Sequence, residues 1–202
     1  MKTIFTILCT FLSLSFAYAQ SVSATIKGNY SFNGSSFRIT TVYDGNKTAY
    51  ELTSMHEGRE YITRIIPQIE NASIRVVSTS ADGQQNTHVF QASEMALQDG
   101  ISMDGLSARK TGVSKNIAGI DCSQILIQTK NGTQAEVWIY ENGFPLSAYK
   151  EIYKSDYAVQ ALALLQLSGI AMEMHVTNPN GNTILTFSTR EYLPQAEKSI
   201  FQ

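Results

Sequence analysis

The feature that most constrains this chain is a series of Asn-Gly and Asp-Gly pairs: Asn33-Gly34, Asp44-Gly45, Asp82-Gly83, Asn131-Gly132, Asn142-Gly143 and Asn180-Gly181. Such pairs supply the positive φ angles of tight hairpins. Between them lie short runs rich in β-branched and aromatic residues, among them ATIKGNYSF, FRITTVY, TAYELTSM, EYITRII, SIRVVSTS, CSQILIQT, QAEVWIYE, LSAYKEIY, MEMHVT and TILTFSTREY. Several alternate apolar and polar residues, as half-buried strands do. The expected architecture is one large antiparallel sheet of successive hairpins. No internal repeat, low-complexity tract or linker divides it, so residues 20–202 are expected to form a single domain.

One segment departs from this pattern. SDYAVQALALLQLSGI is rich in Ala and Leu, which favour helix. Ser155 or Asp156 can cap its start and Gly169 can end it. Gln160 and Gln166 are the only polar residues between Tyr157 and Leu167. A helix apolar nearly all round needs burial on most sides, and at about 14 residues it is too short to cross a bilayer. The sheet is the apolar surface available to enclose it. The chain is therefore expected to be mainly β, a single curved antiparallel sheet (a half-barrel) wrapped around one long apolar helix. Ala92 to Gln98 is a second, short helix candidate.

The hairpin around Asn131-Gly132 can be read in register. A two-residue turn there places Ile125 opposite Trp138, Ser123 opposite Tyr140 and Leu126 opposite Val137. Cys122 then shares a face with Leu126, Val137 and Ile139, while Ile125, Ile127, Trp138 and Tyr140 share the other. Both faces are apolar at the centre, so both are expected to be covered. A slip of one residue would exchange the faces of one strand.

The opening residues read as a secretory signal peptide: Lys2, an apolar run from Ile4 to Phe16, and the small-x-small site Ala17-Tyr18-Ala19 before Gln20. Residues 1–19 are expected to be removed, leaving a soluble periplasmic or secreted protein. With 15 Lys and Arg against 17 Asp and Glu, and Lys2 lost with the leader, the net charge becomes −3. Such a balance gives no footprint for nucleic acid or an anionic membrane. No later segment is apolar for long enough to span a membrane.

Removal of the leader takes Cys9 with it and leaves Cys122 without an intrachain partner. A reactive thiol needs an electropositive, partly open setting, but the neighbours of Cys122 are Asp121, Ser123 and Gln124. A buried, inert thiol packing as a small hydrophobe is the expected state. Catalysis and an intermolecular disulfide are the alternatives.

The residues around Cys122 also carry a resemblance. KNIAGIDCSQILIQTKNGTQAEVWIY resembles an exported bacterial family known only as a domain of unknown function. The family pattern has an Ile-x-Gly-x-x-Cys strand, a turn and a strand with Glu-x-Trp, matched here by Ile117, Gly119, Cys122, Glu136 and Trp138. Farther on, Gly169-Ile170 matches a family step, with Ala171 where Pro is common. Ile125 stands where the family often has an aromatic residue. The match covers Thr111 to Glu191. The resemblance implies a fold similar to the periplasmic lipoprotein-carrier half-barrels, with an apolar groove, and implies no activity. It makes Cys122 a packing position on a central strand.

Sites for catalysis are sparse. His56, His88 and His175 are far apart, and none has a second ligand at metal spacing. There is no Gly-x-Ser-x-Gly elbow and no phosphate loop, and no cofactor is expected. Ser35 and Ser36 follow a turn without any mark of a nucleophile. Asp99 and Asp104 lack the alternating oxygens of a calcium loop. Glu136 shares a strand face with Trp138, which suits a general acid less well than an exposed strand position. Met95, Met103, Met172 and Met174 cluster beside the helix candidates, where Met adapts to irregular apolar surfaces.

These features point to a non-enzymatic exported protein that holds a lipid or acyl chain in a half-barrel groove. The candidate lining residues are Ile125, Trp138, Tyr140, Leu162, Leu165 and Met172. The alternative is an envelope module that meets a protein partner through loops or strand edges.

Overall fold

The computed structural model describes residues 22–93 and 103–202. The leader with Cys9 lies outside the described residues, as do Met95, Asp99 and most of the Ala92–Gln98 segment. Eleven antiparallel strands form one open sheet: β1 (Ser23–Phe32), β2 (Ser35–Asp44), β3 (Lys47–His56), β4 (Arg59–Gln68), β5 (Ser73–Thr79), β6 (Gln85–Gln91), β7 (Ser107–Ile117), β8 (Ile120–Gln128), β9 (Gln134–Tyr140), β10 (Ile170–Thr177) and β11 (Thr183–Leu193). Their order is β6-β5-β4-β3-β2-β1-β11-β10-β9-β8-β7. Two meanders thus run outward from a central β1–β11 pair. The edges, β6 and β7, do not pair with each other, so the sheet is not closed.

Glycine turns make the hairpins, in two lengths. Two-residue turns join Phe32 to Ser35, His56 to Arg59 and Ile117 to Ile120. In each, both central residues have positive φ: Asn33 and Gly34, Glu57 and Gly58, Ala118 and Gly119. Glu57 and Ala118 pay the steric cost of that conformation, which Asn tolerates better, and so they carry no sequence signal. The family-like Ile-x-Gly-x-x-Cys stretch is therefore not one strand: it turns at Ala118-Gly119 between β7 and β8.

The Asn131-Gly132 pair behaves differently. Ile125 pairs with Val137, Gln124 with Trp138 and Ser123 with Ile139, one residue away from the register that a two-residue turn predicts. The loop has three residues, closed by Thr129 and Thr133, and only Gly132 has positive φ. The Asn131 carboxamide accepts hydrogen bonds from the Thr133 N–H at 3.1 Å and from the Thr129 hydroxyl. This local bonding holds Asn131 on the ordinary side of φ and leaves the positive φ to glycine alone. The extra residue moves Val137 and Ile139 onto the face of Ile125 and Ile127. Cys122 stays on the other face, with Gln124 and Trp138.

The run LSAYKEIY, which reads as a strand, is not one. Leu146–Tyr149 is a short 3₁₀ turn within a long connection from Asn142 to Gly169 that lies across one face of the sheet. The expected long helix is short: α1 spans Tyr157–Leu165, nine residues. Asp156 caps it, its carboxylate accepting the Val159 N–H at 3.0 Å. It ends at Gln166, whose φ of 54° and ψ of 38° are left-handed. There the Leu167 N–H reaches back to the Leu162 carbonyl at 2.9 Å, the pairing that closes a helix at such a residue. Gly169 does not end the helix. A Cβ there would lie 2.5 Å from the Tyr140 carbonyl oxygen, so glycine lets the chain pass close to β9 as it enters β10.

The core lies between this connection and the sheet. Tyr157, Ala158, Val159, Ala161 and Leu162 of α1 are buried, but Leu164 is 54 % exposed, so the helix covers the sheet rather than being wrapped by it. On the opposite face a second, smaller cluster joins Val42, Ala49 and Ile66 to Ile200 and Phe201. The C-terminal turn Lys198–Phe201 is held there by Arg75, which donates to the Phe201 carbonyl at 2.6 Å. No helix among the described residues is long and apolar enough to cross a membrane.

Candidate functional site

A cavity of about 270 Å³ lies between the Asn142–Gly169 connection and the sheet face beneath it. Strand register builds its floor. Ile65, Tyr50 and Thr41 are successive cross-strand partners on β4, β3 and β2, and Leu52 lies opposite Ile39 one step along. Tyr30, Phe187 and Met174 form a second row on β1, β11 and β10. Leu146, Tyr153, Asp156 and Ala158 of the connection supply the roof.

Aromatic contacts join roof to floor. Tyr43 meets Phe144 edge-on at 4.6 Å between ring centroids, Phe144 stacks on Tyr149 at 6.3 Å, and Tyr149 stacks on Tyr153 at 6.1 Å. Offset and edge-to-face pairs at such separations add to the gain from burial. The Tyr149 hydroxyl donates to the Asn46 carbonyl at 2.6 Å and ties the roof to the β2–β3 turn. The Tyr153 hydroxyl is buried beside Tyr50 and finds no aligned hydrogen-bond partner.

The cavity wall is electrostatically unusual. Asp156 is half-buried there, and its desolvation raises the carboxyl pKa above the ordinary value; the backbone N–H groups of Val159 and Ala158 offset this only in part. No Lys, Arg or His lines the cavity, and among the described residues no ion pair involves Asp156. The surrounding phenols are held in their neutral form. Burial, reinforced by Asp156, pushes Tyr30 up to about 12 and Tyr43, Tyr50 and Tyr153 higher still. The wall is thus chiefly apolar, with four neutral tyrosines and one carboxyl group that has no cationic partner among the lining residues. It can enclose apolar surface and offers hydroxyl and carboxyl partners to a polar group at its rim.

The six residues singled out from the sequence do not line this cavity. Ile125, Leu162 and Met172 are fully buried in the core beside it. Leu165 and Tyr140 are half-buried against that core, Tyr140 meeting Tyr192 edge-on at 5.9 Å. Trp138 lies on the other face of the sheet. Its indole N–H donates to Glu136 at 2.7 Å, and the Lys115 ammonium sits 4.5 Å above its ring. Lys115 also pairs with Glu173. Glu136 is therefore engaged as an acceptor for Trp138.

Only Met174 and Asp156, noted respectively as an adaptable apolar residue and a helix cap, take part in the cavity. Tyr30, Tyr43, Tyr50 and Tyr153 were missed. For Tyr30, Tyr43 and Tyr50 the signal was the placing of tyrosines on strands with one apolar face, but their convergence with Tyr153 of the connection depends on long-range register. Cys122 is 1 % exposed. Lys115 lies directly opposite it on β7, a neighbour that the local sequence does not reveal. Even so, burial pushes the thiol up to about 11, with Glu173 and Asp121 adding to the effect.

A larger hollow of about 530 Å³ lies at the Ser107–Gln128 end of β7–β10, lined by Arg109, Glu136 and His175 among others. His175 there meets the Thr183 hydroxyl at 2.9 Å. Its mixed polar lining gives a ligand little to gain from leaving water. Among the described residues no three His, Cys, Asp or Glu side chains gather as a metal site.

No protein-family model matches this sequence, and no curated protein matches it. Among solved structures the chain is similar to MucB, with a TM-score of 0.38 and 13% identity over 93% of this chain and 59% of that one. It is similar to a chain of the MucA/MucB complex of Pseudomonas aeruginosa, with a TM-score of 0.37 and 11% identity over 90% of this chain and 57% of that one. A DUF1329 family protein from Desulfovibrio piger ATCC 29098 gives a TM-score of 0.22 and 11% identity over 95% of both chains. The chain spans a little over half the length of the MucB chains that it matches.

Proposed function

We propose that this is an exported, non-enzymatic protein that binds a lipid or acyl chain, with the tyrosine-lined cavity as the binding site. The observation that carries this reading is the apolar cavity of about 270 Å³, left unfilled between a packed roof and a packed sheet. Small-molecule pockets run from about 300 to 1,000 Å³, so the cavity suits the end of a chain rather than a whole lipid. Each buried methylene contributes about 0.8 kcal/mol. Export is supported by Lys2, the apolar run Ile4–Phe16 and Ala17-Tyr18-Ala19.

The test is native mass spectrometry of the mature chain before and after solvent extraction, followed by titration with an apolar fluorescent probe. An extractable mass of lipid size, or saturable probe binding lost when Leu52→Trp fills the cavity, supports the reading. A bare chain that ignores the probe sinks it.

A second reading is a protein-interaction module of the cell envelope. Strand β6 favours it: all seven residues of this edge strand are exposed, and Val89 and Phe90 are 58% and 42% so. Such an edge can accept a strand from a partner. A Val89→Lys variant that loses a co-purifying protein while retaining probe binding would favour this reading.

A further inference from the structure

We infer that the cavity selects a ligand carrying an organic ammonium group, so that the occupant is a cationic amphiphile rather than a fatty acid. This rests on the apolar-ligand reading above and specifies the chemistry of the ligand's polar end. Three features of the wall converge on it.

The first is Asp156. Its carboxyl group lines the cavity, while no Lys, Arg or His does. One carboxylate oxygen caps the helix through Val159, but that contact with a neutral N–H leaves the negative charge without a cationic partner. An ammonium group supplies that partner; a carboxylate ligand would instead place like charges together in a poorly solvated space.

The second is the set of rings. Tyr30, Tyr43, Tyr50 and Tyr153 line the same cavity as Asp156. Aromatic faces attract cations through the ring quadrupole, and walls of several aromatic residues are a recurring way to hold ammonium groups. The buried phenols stay neutral, so they do not add anionic charge that would bind any cation indiscriminately.

The third is independent of the helix end. Tyr153 lines the roof, and its hydroxyl is buried against Tyr50 without an aligned hydrogen bond. A buried polar group in that state costs free energy. A hydroxyl can accept an ammonium N–H as well as donate, so the same ligand group satisfies both Asp156 and Tyr153.

The experiment compares three probes of equal chain length, octylammonium, octanol and octanoate, by calorimetric titration of the mature protein at pH 7 below their aggregation concentrations. Octylammonium is expected to bind about tenfold or more tightly than octanol, the size of a desolvated cation–π contact, with octanoate weakest. Asp156→Asn retains a good helix cap. It should take away most of the preference of octylammonium over octanol. Tyr153→Phe should reduce the same preference several-fold. Equal binding of all three probes, or a preference that survives Asp156→Asn undiminished, overturns the ammonium inference and leaves the apolar-ligand reading standing. Failure of all three to bind overturns both.

Discussion

The rings of Tyr50 and Tyr153 meet edge to face, with centroids 5.7 Å apart and planes at 90°. Tyr50 belongs to strand β3 and Tyr153 to the connection that roofs the cavity, so this contact fixes the spacing between the two. It also isolates the Tyr153 hydroxyl, which is buried there without an aligned partner.

Tyr153→Phe should therefore stabilise the unliganded protein. An unsatisfied buried hydroxyl costs about 1–3 kcal/mol, and phenylalanine keeps the ring contacts with Tyr50 and Tyr149. Urea denaturation should show a gain of about 1 kcal/mol. A clear loss of stability would mean that the hydroxyl has a partner in solution.

Asp156 should make stability fall with rising pH over part of the acid range. Its folded-state pKa is raised by burial, so the native protein holds a proton that the unfolded chain has released. Stability conferred by the protonated group is complete below the unfolded value of about 3.9 and is lost as pH rises through the folded value. Asp156→Asn should remove that contribution to the slope and cost little at pH 7, because Asn caps a helix about as well as Asp. Asp156→Ala loses the cap and should cost about 1 kcal/mol. Denaturation midpoints across pH 3–7 for the three proteins check both statements.

Cys122 should be inert while the protein is folded. With the thiol buried and its pKa pushed up to about 11, almost no thiolate exists at neutral pH. Alkylation by iodoacetamide should be slow in buffer and rapid in denaturant. Cys122→Ala should retain probe binding at a stability cost of about 1 kcal/mol, a small core truncation. Fast labelling of the native protein would contradict this.

Gly28 should be intolerant of any side chain. It lies on β1 at the irregularity where that strand pairs with β11. A Cβ there would sit 2.2 Å from the Ser188 carbonyl oxygen. Backbone cannot yield as a flexible side chain can, so Gly28→Ala should cost about 3 kcal/mol and disturb the join between the two meanders. A variant with an unchanged urea midpoint would refute this contact.

The local pattern made much of the sheet legible. Asn33-Gly34 announces a two-residue turn and receives one, and the runs FRITTVY, SIRVVSTS and MEMHVT lie within β2, within or across the end of β5, and within β10. Strand β7, SARKTGVSKNI, escaped notice because it is an edge strand with little apolar alternation to read. LSAYKEIY misled because an amphipathic run packed on a sheet resembles a strand within it. The helix lost residues at its C-terminus because Gln166 adopts a left-handed conformation more typical of glycine.

By itself the sequence determined the antiparallel class, a capped start of the helix at Ser155 or Asp156 and the burial of Cys122. Each follows from interactions within a few residues: turn φ angles, a side chain reaching a nearby N–H, and strand alternation. The register at Asn131-Gly132 turned on a local choice between two loop lengths, which the side-chain bonds of Asn131 settle in the folded structure, while tertiary structure alone decided the placing of Lys115 opposite Cys122. It also decided the cavity. Tyr30, Tyr43, Tyr50, Tyr153 and Asp156 come from four separate segments, and their convergence depends on strand pairing and on how the connecting chain settles across the sheet. No local rule encodes that arrangement, because its free energy arises from contacts between residues distant in the chain.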